Sequence, residues 1–197
     1  MRHFVYFSGS AATSGKALSK YSDGGLMKAG RMDIAIHSFI QGVFLSHDFR
    51  KDAVFHFIFY GMPDPPKHIQ IQVTDELEIS KKDVSKLIQK MLYKYQEGKK
   101  NEVFPECFIE KKGFLKVVEE LQENGSEIFI LDKKGEDIRK VEIKDNCVFI
   151  LGDHEGLPKK ELNRLKQTAT PISIGDKIYF ASQTIAVVNN ELDYRNL

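Results

Sequence analysis

The sequence has little cysteine, no long apolar run and almost no net charge. Its only cysteines are Cys107 and Cys147. Their spacing fits no zinc pattern, so no metal is expected, and their apolar surroundings read as buried, reduced thiols. No stretch approaches the roughly 20 apolar residues that a membrane-spanning helix needs. No basic leader precedes an apolar segment, so a cytoplasmic location with no membrane partner is the expectation. Lys and Arg number 29 against 28 Asp and Glu, a net charge of +1. That is not the footprint of a strongly basic nucleic-acid-binding domain, and any such contact must rest on a local patch. Neither G-x-G-x-x-G nor G-x-x-x-x-G-K-[ST] occurs, which removes the main support for a dinucleotide or nucleoside-triphosphate site.

What is present is enough for one domain. Apolar residues make up 42% of the 197, which supports a sizeable core. Apolar runs at His3–Ser8, Ala53–Tyr60, Glu127–Leu131 and Cys147–Leu151 read as strands, with a short one at Cys107–Ile109. His68–Val73 alternates Ile with Gln and reads as a half-exposed strand. Helical spacing of apolar residues appears over Asp33–His47 and after Ser80, where Ser80 and Asp83 resemble a capping box. It appears again from Phe114 to Gly125. Residues 9–31 read as a long loop carrying Lys16, Lys20, Lys28 and Arg31. Up to Tyr60 the chain has seven Lys and Arg against four Asp and Glu, so this third reads as the most positive surface. Lys133–Lys144 reads as a charged excursion with a minor hairpin at Gly135. Strands alternating with helices, continuously apolar where helices flank them, argue an α/β fold with a mostly parallel sheet and helices on both faces.

The chain is organised around Cys147–Asp193. The strand-like run ends at Gly152, and Asp153, His154 and Glu155 lead to Gly156. Pro158 suits the first position of a helix over Lys159–Gln167. The pattern then repeats: Ile172-Ser173-Ile174, Gly175, an apolar loop Ile178-Tyr179-Phe180, and Ser182 placed to cap a helix from Gln183. Two glycine loops, each at a strand end and before a helix, are where an open α/β sheet holds a small ligand. From these residues alone the reading stops at a ligand site near Gly152 and Gly175; both glycines could instead simply end strands.

The segments Ile150-Leu151-Gly152-Asp153-His154-Glu155-Gly156-Leu157, Ile172-Ser173-Ile174-Gly175 and Tyr179-Phe180-Ala181-Ser182-Gln183 resemble the cofactor region of the SPOUT methyltransferases. Within that class the whole chain resembles the archaeal enzymes that methylate N1 of pseudouridine 54 in tRNA. The resemblance implies a C-terminal deep trefoil knot and S-adenosyl-L-methionine as cofactor. It also implies a homodimer acting on tRNA in the T loop, with no DNA partner. It implies one domain over 1–197, with an RNA-facing part in 1–80 and a knotted cofactor-binding part in 127–197. The cofactor contacts it implies are Leu131, Gly152, Leu157, Ile174, Gly175, Ile178, Tyr179, Phe180 and Ser182. N1-pseudouridine or ribose 2′-O-methylation of ribosomal RNA, and a non-enzymatic RNA-binding module, are the alternatives.

Arg31 and Asp33 are the candidate catalytic residues. Gly30-Arg31-Met32-Asp33-Ile34 is similar to an Arg-Pro-Asp-Ile segment of related ribosomal pseudouridine methyltransferases, where it faces RNA. Methylation at N1 requires loss of the N1 proton, which a carboxylate can accept, while a guanidinium can hold a phosphate or a charged base. The competing reading is an acid at a helix start beside an exposed Arg. Glu155 and His154 read better as loop residues than as catalysts, and His37, one turn on from Asp33, as a surface histidine. Some members of the class are expected to carry a cysteine near Thr184; this chain has none there, and N1 of pseudouridine needs no thiol nucleophile.

Overall fold

A computed structural model of the chain describes residues 1–19 and 25–197; Lys20, named above, lies outside them. The strands are β1 (Arg2–Ser8), β2 (Ala53–Phe59), β3 (Lys67–Gln72), β4 (Asn101–Phe104), β5 (Cys107–Glu110), β6 (Glu127–Asp137), β7 (Cys147–Gly152) and β8 (Thr170–Ser173). The helices are α1 (Gly15–Ser19), α2 (Met32–Val43), α3 (Val84–Tyr93), α4 (Phe114–Glu123), α5 (Lys159–Leu165) and α6 (Ala181–Tyr194). All eight strands form one sheet in the order β4-β5-β3-β2-β1-β7-β6-β8. The five strands from β2 to β8 pair in parallel, and β3, β5 and β4 are added antiparallel. The mostly parallel α/β reading therefore holds.

Side-chain alternation splits the core in two. Phe4, Tyr6, Phe55 and Phe57 face the layer of α1, α2, α3 and α6, where Phe39, Ile88 and Val188 are buried. Val5, Phe7, Val148 and Ile150 face α4 and α5, meeting Phe114, Val117 and Leu165. Covering both faces explains why β1, β2 and β7 read as unbroken apolar runs. Both cysteines are buried and free, and burial pushes their thiols up, to about 12 for Cys107 and about 11 for Cys147.

Several boundaries differ from the sequence reading, for local reasons. Helix α2 stops at Val43 rather than His47 because Phe44 turns extended and pairs with Phe49. The long loop after β1 contains the short α1 and a 3-10 turn at Gly25–Met27, both too brief to show a period. Strand β3 is mostly buried because β5 covers its far edge. Ser80 and Asp83 form no capping box; the Ser80 hydroxyl donates to the Asp83 carboxylate instead. Ser182 is no cap: α6 begins at Ala181, and the Gln183 side chain accepts the Phe180 N–H at 3.1 Å.

The charged excursion after Leu131 is not a hairpin. Ile172 pairs with both Leu131 and Glu136, so residues 132–135 loop out and β6 resumes beside β8. At Gly135 the two strands approach so closely that a Cβ would lie 2.4 Å from the Ile172 amide nitrogen. Beyond β8 the chain returns across the sheet, and α6 packs on α2. Its Asn189 amide donates to the Gln41 and Gly42 carbonyls at 2.9 and 3.3 Å. Arg195 donates to the carbonyls of Val141 (2.7 Å) and Ile138 (2.6 Å).

On the α4 face a row of polar side chains crosses four strands. His3 Nδ1 lies 3.1 Å from His56 Nε2, His56 Nδ1 lies 3.0 Å from His68 Nε2, and His68 Nδ1 lies 3.0 Å from Glu110 Oε1. Lys112 Nζ neutralises Glu110 at 2.9 Å. A carboxylate only accepts, so His68 donates from Nδ1. Its Nε2 then accepts from His56 Nδ1, whose Nε2 accepts from His3 Nδ1. Glu110 thus sets three tautomers in succession. Burial holds all three imidazoles below their ordinary pKa, His3 at about 4. Glu110 lies low, at about 2, because His68 and Lys112 outweigh its burial.

Two outcomes follow. An imidazole that is neutral when folded but ordinary when unfolded takes up protons on unfolding, so its contribution is complete above about pH 6.5 and falls as pH drops toward 4. Glu110 adds a further loss below about pH 4.5. Thermal unfolding followed from pH 8 to 4 is expected to show a flat midpoint that declines from near pH 6.5. Replacing His56 and His68 by residues that do not titrate should flatten that limb. Gly135→Ala should cost about 1–3 kcal/mol through forced separation of β6 from β8, read as a lower urea midpoint at unchanged slope.

Candidate functional site

The parallel strands β2, β1, β7, β6 and β8 all point the same way, so their C-terminal ends form one edge. In open α/β sheets that edge holds the ligand. A cleft of about 150 Å³ lies there between β6, where it parts from β7 after Ile130, and the end of β8, and Leu131, Ile174, Gly175, Ile178 and Tyr179 line it. These are five of the nine residues that the sequence singled out as cofactor contacts. The other four do not line it. Gly152 is pressed against Gly156, where a Cβ would lie 2.3 Å from the Gly156 carbonyl carbon; it lets the 153–156 loop fold back. Leu157 packs with the α4-side core. Phe180 and Ser182 start α6, Phe180 exposed and Ser182 half-buried.

Backbone geometry shapes the cleft. Gly175 has φ +138°, a conformation L side chains rarely adopt. The Ser173 hydroxyl holds it by accepting the Gly175 N–H (3.1 Å) and donating to its carbonyl (3.2 Å). Asp132, Lys133, Lys177 and Thr184 also line the cleft; the sequence reading missed Asp132. Its carboxylate accepts the Lys134 N–H at 3.0 Å and meets Lys166 Nζ at 2.6 Å. The Lys166 bond holds Asp132 below the usual carboxylate range. Position immediately after a buried strand was the one signal for it.

Arg31 and Asp33 meet in a two-pronged ion pair, Nε to Oδ1 at 3.1 Å and Nη2 to Oδ2 at 3.0 Å. Arg31 caps α2 with left-handed φ 59°, and Asp33 lies in the first turn, where the helix dipole favours an anion. The bonds from Arg31 hold the Asp33 carboxyl below its ordinary value. Gly30 makes this possible: with φ +72°, its Cβ would sit 1.7 Å from the Ser10 carbonyl oxygen. The helix start is thereby drawn down onto the end of β1. His37 is exposed one turn on, as expected.

Asp153, which the sequence reading passed over, ties these parts together. Its Oδ2 accepts from the Ser8 hydroxyl at 2.6 Å, and its Oδ1 accepts the Glu155 N–H at 2.9 Å. Asp153 rather than Glu155 therefore orders the loop, and it latches the end of β7 to that of β1. His154 is exposed, with Nδ1 3.8 Å from Asp153 Oδ1. Below the latch the Tyr6 hydroxyl is buried with no hydrogen-bond partner among the described residues. Burial, then the charges of Asp153 and Asp33, push its ionisation far up. The Arg31–Asp33 pair thus stands over β1 and the cleft over β6, two strand spacings or about 10 Å apart. Among the described residues no group of His, Cys, Asp and Glu is arranged to hold a metal. No described helix is long and apolar enough to cross a membrane.

Three comparisons bear on this arrangement. The model of a family described as "Putative SAM-dependent RNA methyltransferase" matches residues 1–197. A Vibrio campbellii protein named "Putative pseudouridine methyltransferase" is 35% identical over 99% of both chains. The tRNA (pseudouridine(54)-N(1))-methyltransferase of Methanocaldococcus jannaschii is 31% identical over 100% of this chain and 98% of its own. Among solved structures, Archaeoglobus fulgidus Nep1 bound to S-adenosylhomocysteine superposes with TM-score 0.60 at 13% identity, over 100% of this chain and 99% of that one. That likeness concerns the fold.

Proposed function

The chain belongs to this family of S-adenosylmethionine-dependent RNA methyltransferases, and we propose that it methylates N1 of pseudouridine 54 in the T loop of tRNA. The observation that carries the reading is the end-to-end match to the M. jannaschii enzyme of that name. The chemistry at the C-terminal edge supports it. S-adenosylmethionine supplies the activated methyl group. Main-chain groups around Gly175, with Leu131, Ile174, Ile178 and Tyr179, hold its adenosine end in the cleft. A cleft of about 150 Å³ is smaller than a typical pocket of about 300 Å³ or more, so it receives only part of the cofactor. Ile178 and Phe180 are 88% and 76% exposed beside it. Apolar groups left bare next to a binding cleft fit the expected homodimer, with a second copy covering them. To the C-terminal segment we assign the trefoil knot of the SPOUT class, a reading supported by the close approach of Gly135 in β6 to Ile172 in β8.

Arg31 and Asp33 supply the rest. In the free protein the ion pair makes Asp33 a weak base. A phosphate beside the target base competes for the Arg31 guanidinium, which prefers planar two-pronged oxyanions. Release from Arg31 raises the Asp33 pKa, so the carboxylate becomes able to accept the N1 proton when RNA is in place. Deprotonated N1 then needs only alignment with the methyl group. The target is buried in a folded loop, and an extruded base suits recognition by shape.

The test is label transfer from S-adenosylmethionine to two transcripts of one tRNA, with pseudouridine or uridine at position 54. Label only in the pseudouridine transcript, mapping to N1, is expected. Equal label in both would overturn the reading. Asp33→Asn should lower turnover by about 10²–10⁴-fold with little change in cofactor affinity. Arg31→Ala should mainly weaken RNA binding.

A further inference from the structure

Four of the seven Lys and Arg in the first sixty residues are committed to ion pairs. Arg2, Arg31, Arg50 and Lys51 all sit in ion pairs, with Asp52 and Asp193, Asp33, Asp193 and Asp75. Helix α3 is different. Lys82 precedes it, Lys86 and Lys90 lie on it, and Lys94 follows its last residue. All four are exposed. None makes an ion pair or a side-chain hydrogen bond among the described residues. Asp83 and Glu78 share a groove with Lys86 and Lys90, and Asp83 is held below the usual carboxylate range first by the Ser80 hydroxyl and then by the charges of Lys86 and Lys90. Spacing by four residues sets these ammonium groups about 6 Å apart along the axis, over about 18 Å. Like charges at that spacing destabilise a helix, so the ridge costs stability unless an anion relieves it.

Its place in the fold narrows the anion. Helix α3 packs against α1 and β5. Strand β5 is five positions from β6 in the sheet, so the ridge stands about 20–25 Å from the cleft. A nucleotide cannot reach both; a folded polyanion can. The C-terminal end of α3 also adjoins the segment leading to Arg31. Tyr93 lies over Gly15, where a Cβ would come 2.5 Å from its ring, and its hydroxyl is 2.8 Å from that of Ser19.

We propose that Lys82, Lys86, Lys90 and Lys94 form a rail for the phosphate backbone of tRNA outside the T loop. The proposal rests on a tRNA substrate. The rail fixes how the body of the tRNA lies while its loop occupies the Arg31–Asp33 edge. Its contacts go to phosphates, so they position the RNA without reading sequence.

The experiment compares wild-type protein with the triple variant Lys86→Gln, Lys90→Gln, Lys94→Gln, using whole tRNA and an excised T-arm hairpin. All three positions are exposed, so the fold is retained; circular dichroism and S-adenosylmethionine affinity verify this. The variant should bind whole tRNA about 10-fold or more weakly, with a log–log salt slope shallower by about 2–3 and hairpin affinity changed less than about 2-fold. Turnover at saturating tRNA should be unchanged. Unaltered tRNA affinity and slope would overturn the rail. Equal losses on hairpin and tRNA would also overturn it, placing the lysines at the target loop. So would loss of binding to anionic vesicles with RNA binding intact. These are direct binding measurements. Methyl label mapping to another nucleotide would fail the functional reading and leave the rail standing.

Discussion

The guanidinium of Arg2 is the point on which the rest of the structure depends. It is buried at the start of the central strand and bonds Asp52 at 2.8 Å, Asn189 and Asp193 at 3.0 Å, and the Leu197 carbonyl at 2.6 Å. One side chain thereby joins the first strand, the entrance to β2 and the last helix. Such a group is costly to desolvate, and removing one partner of a buried pair typically costs about 3–5 kcal/mol because the remainder is stranded. Here the cation has four partners, and Arg50 shares Asp193 at 2.6 Å. With α6 fixed against α2, the start of α6 and the loop before it are fixed beside the end of β8. The cleft inherits its rigidity from an interaction at the opposite end of the strands.

The same logic explains the division of labour along the C-terminal edge. Asp153 latches β7 to β1 through Ser8, and Gly30 pulls the start of α2 down onto the end of β1. Both bring the Arg31–Asp33 ion pair toward the cleft between β6 and β8 without belonging to either. Neither does covalent work, and each decides where groups on other elements stand. The histidine row has a comparable role on the other face, where its polarity runs from Glu110 toward His3 and ties four strands by side chains as well as by the ladder.

Much of this could be read in the sequence because its signals were local. The apolar runs of β1, β2 and β7 and the periodicity of α2, α3 and α4 depend on burial alone. Gly175, Ile178 and Tyr179 sat in a strand–glycine–helix pattern, and Arg31 and Asp33 carried a family resemblance. What escaped depends on contacts distant in sequence. Asp153 looked like one of three polar loop residues until Ser8, far back in the chain, supplied its partner. The charges of Arg2, Arg31 and Arg50 looked available because sequence does not show which acids they meet. Lys133–Lys144 read as a charged excursion with a minor hairpin at Gly135 because nothing local reveals that β8 pairs on both sides of residues 132–135.

That double pairing has a further consequence. Ile172 holds Leu131 on one side of the outlooped residues and Glu136 on the other. The wall of the cleft and the double pairing of β6 with β8 are therefore built from the same few backbone atoms. A ligand seated there cannot be released by local fraying of the wall, because fraying it means parting β6 from β8. Binding energy in this cleft is coupled to the cooperative unfolding of the whole C-terminal segment, so occupancy is felt as resistance of the fold itself. A site of this kind trades the freedom to open for a fixed shape.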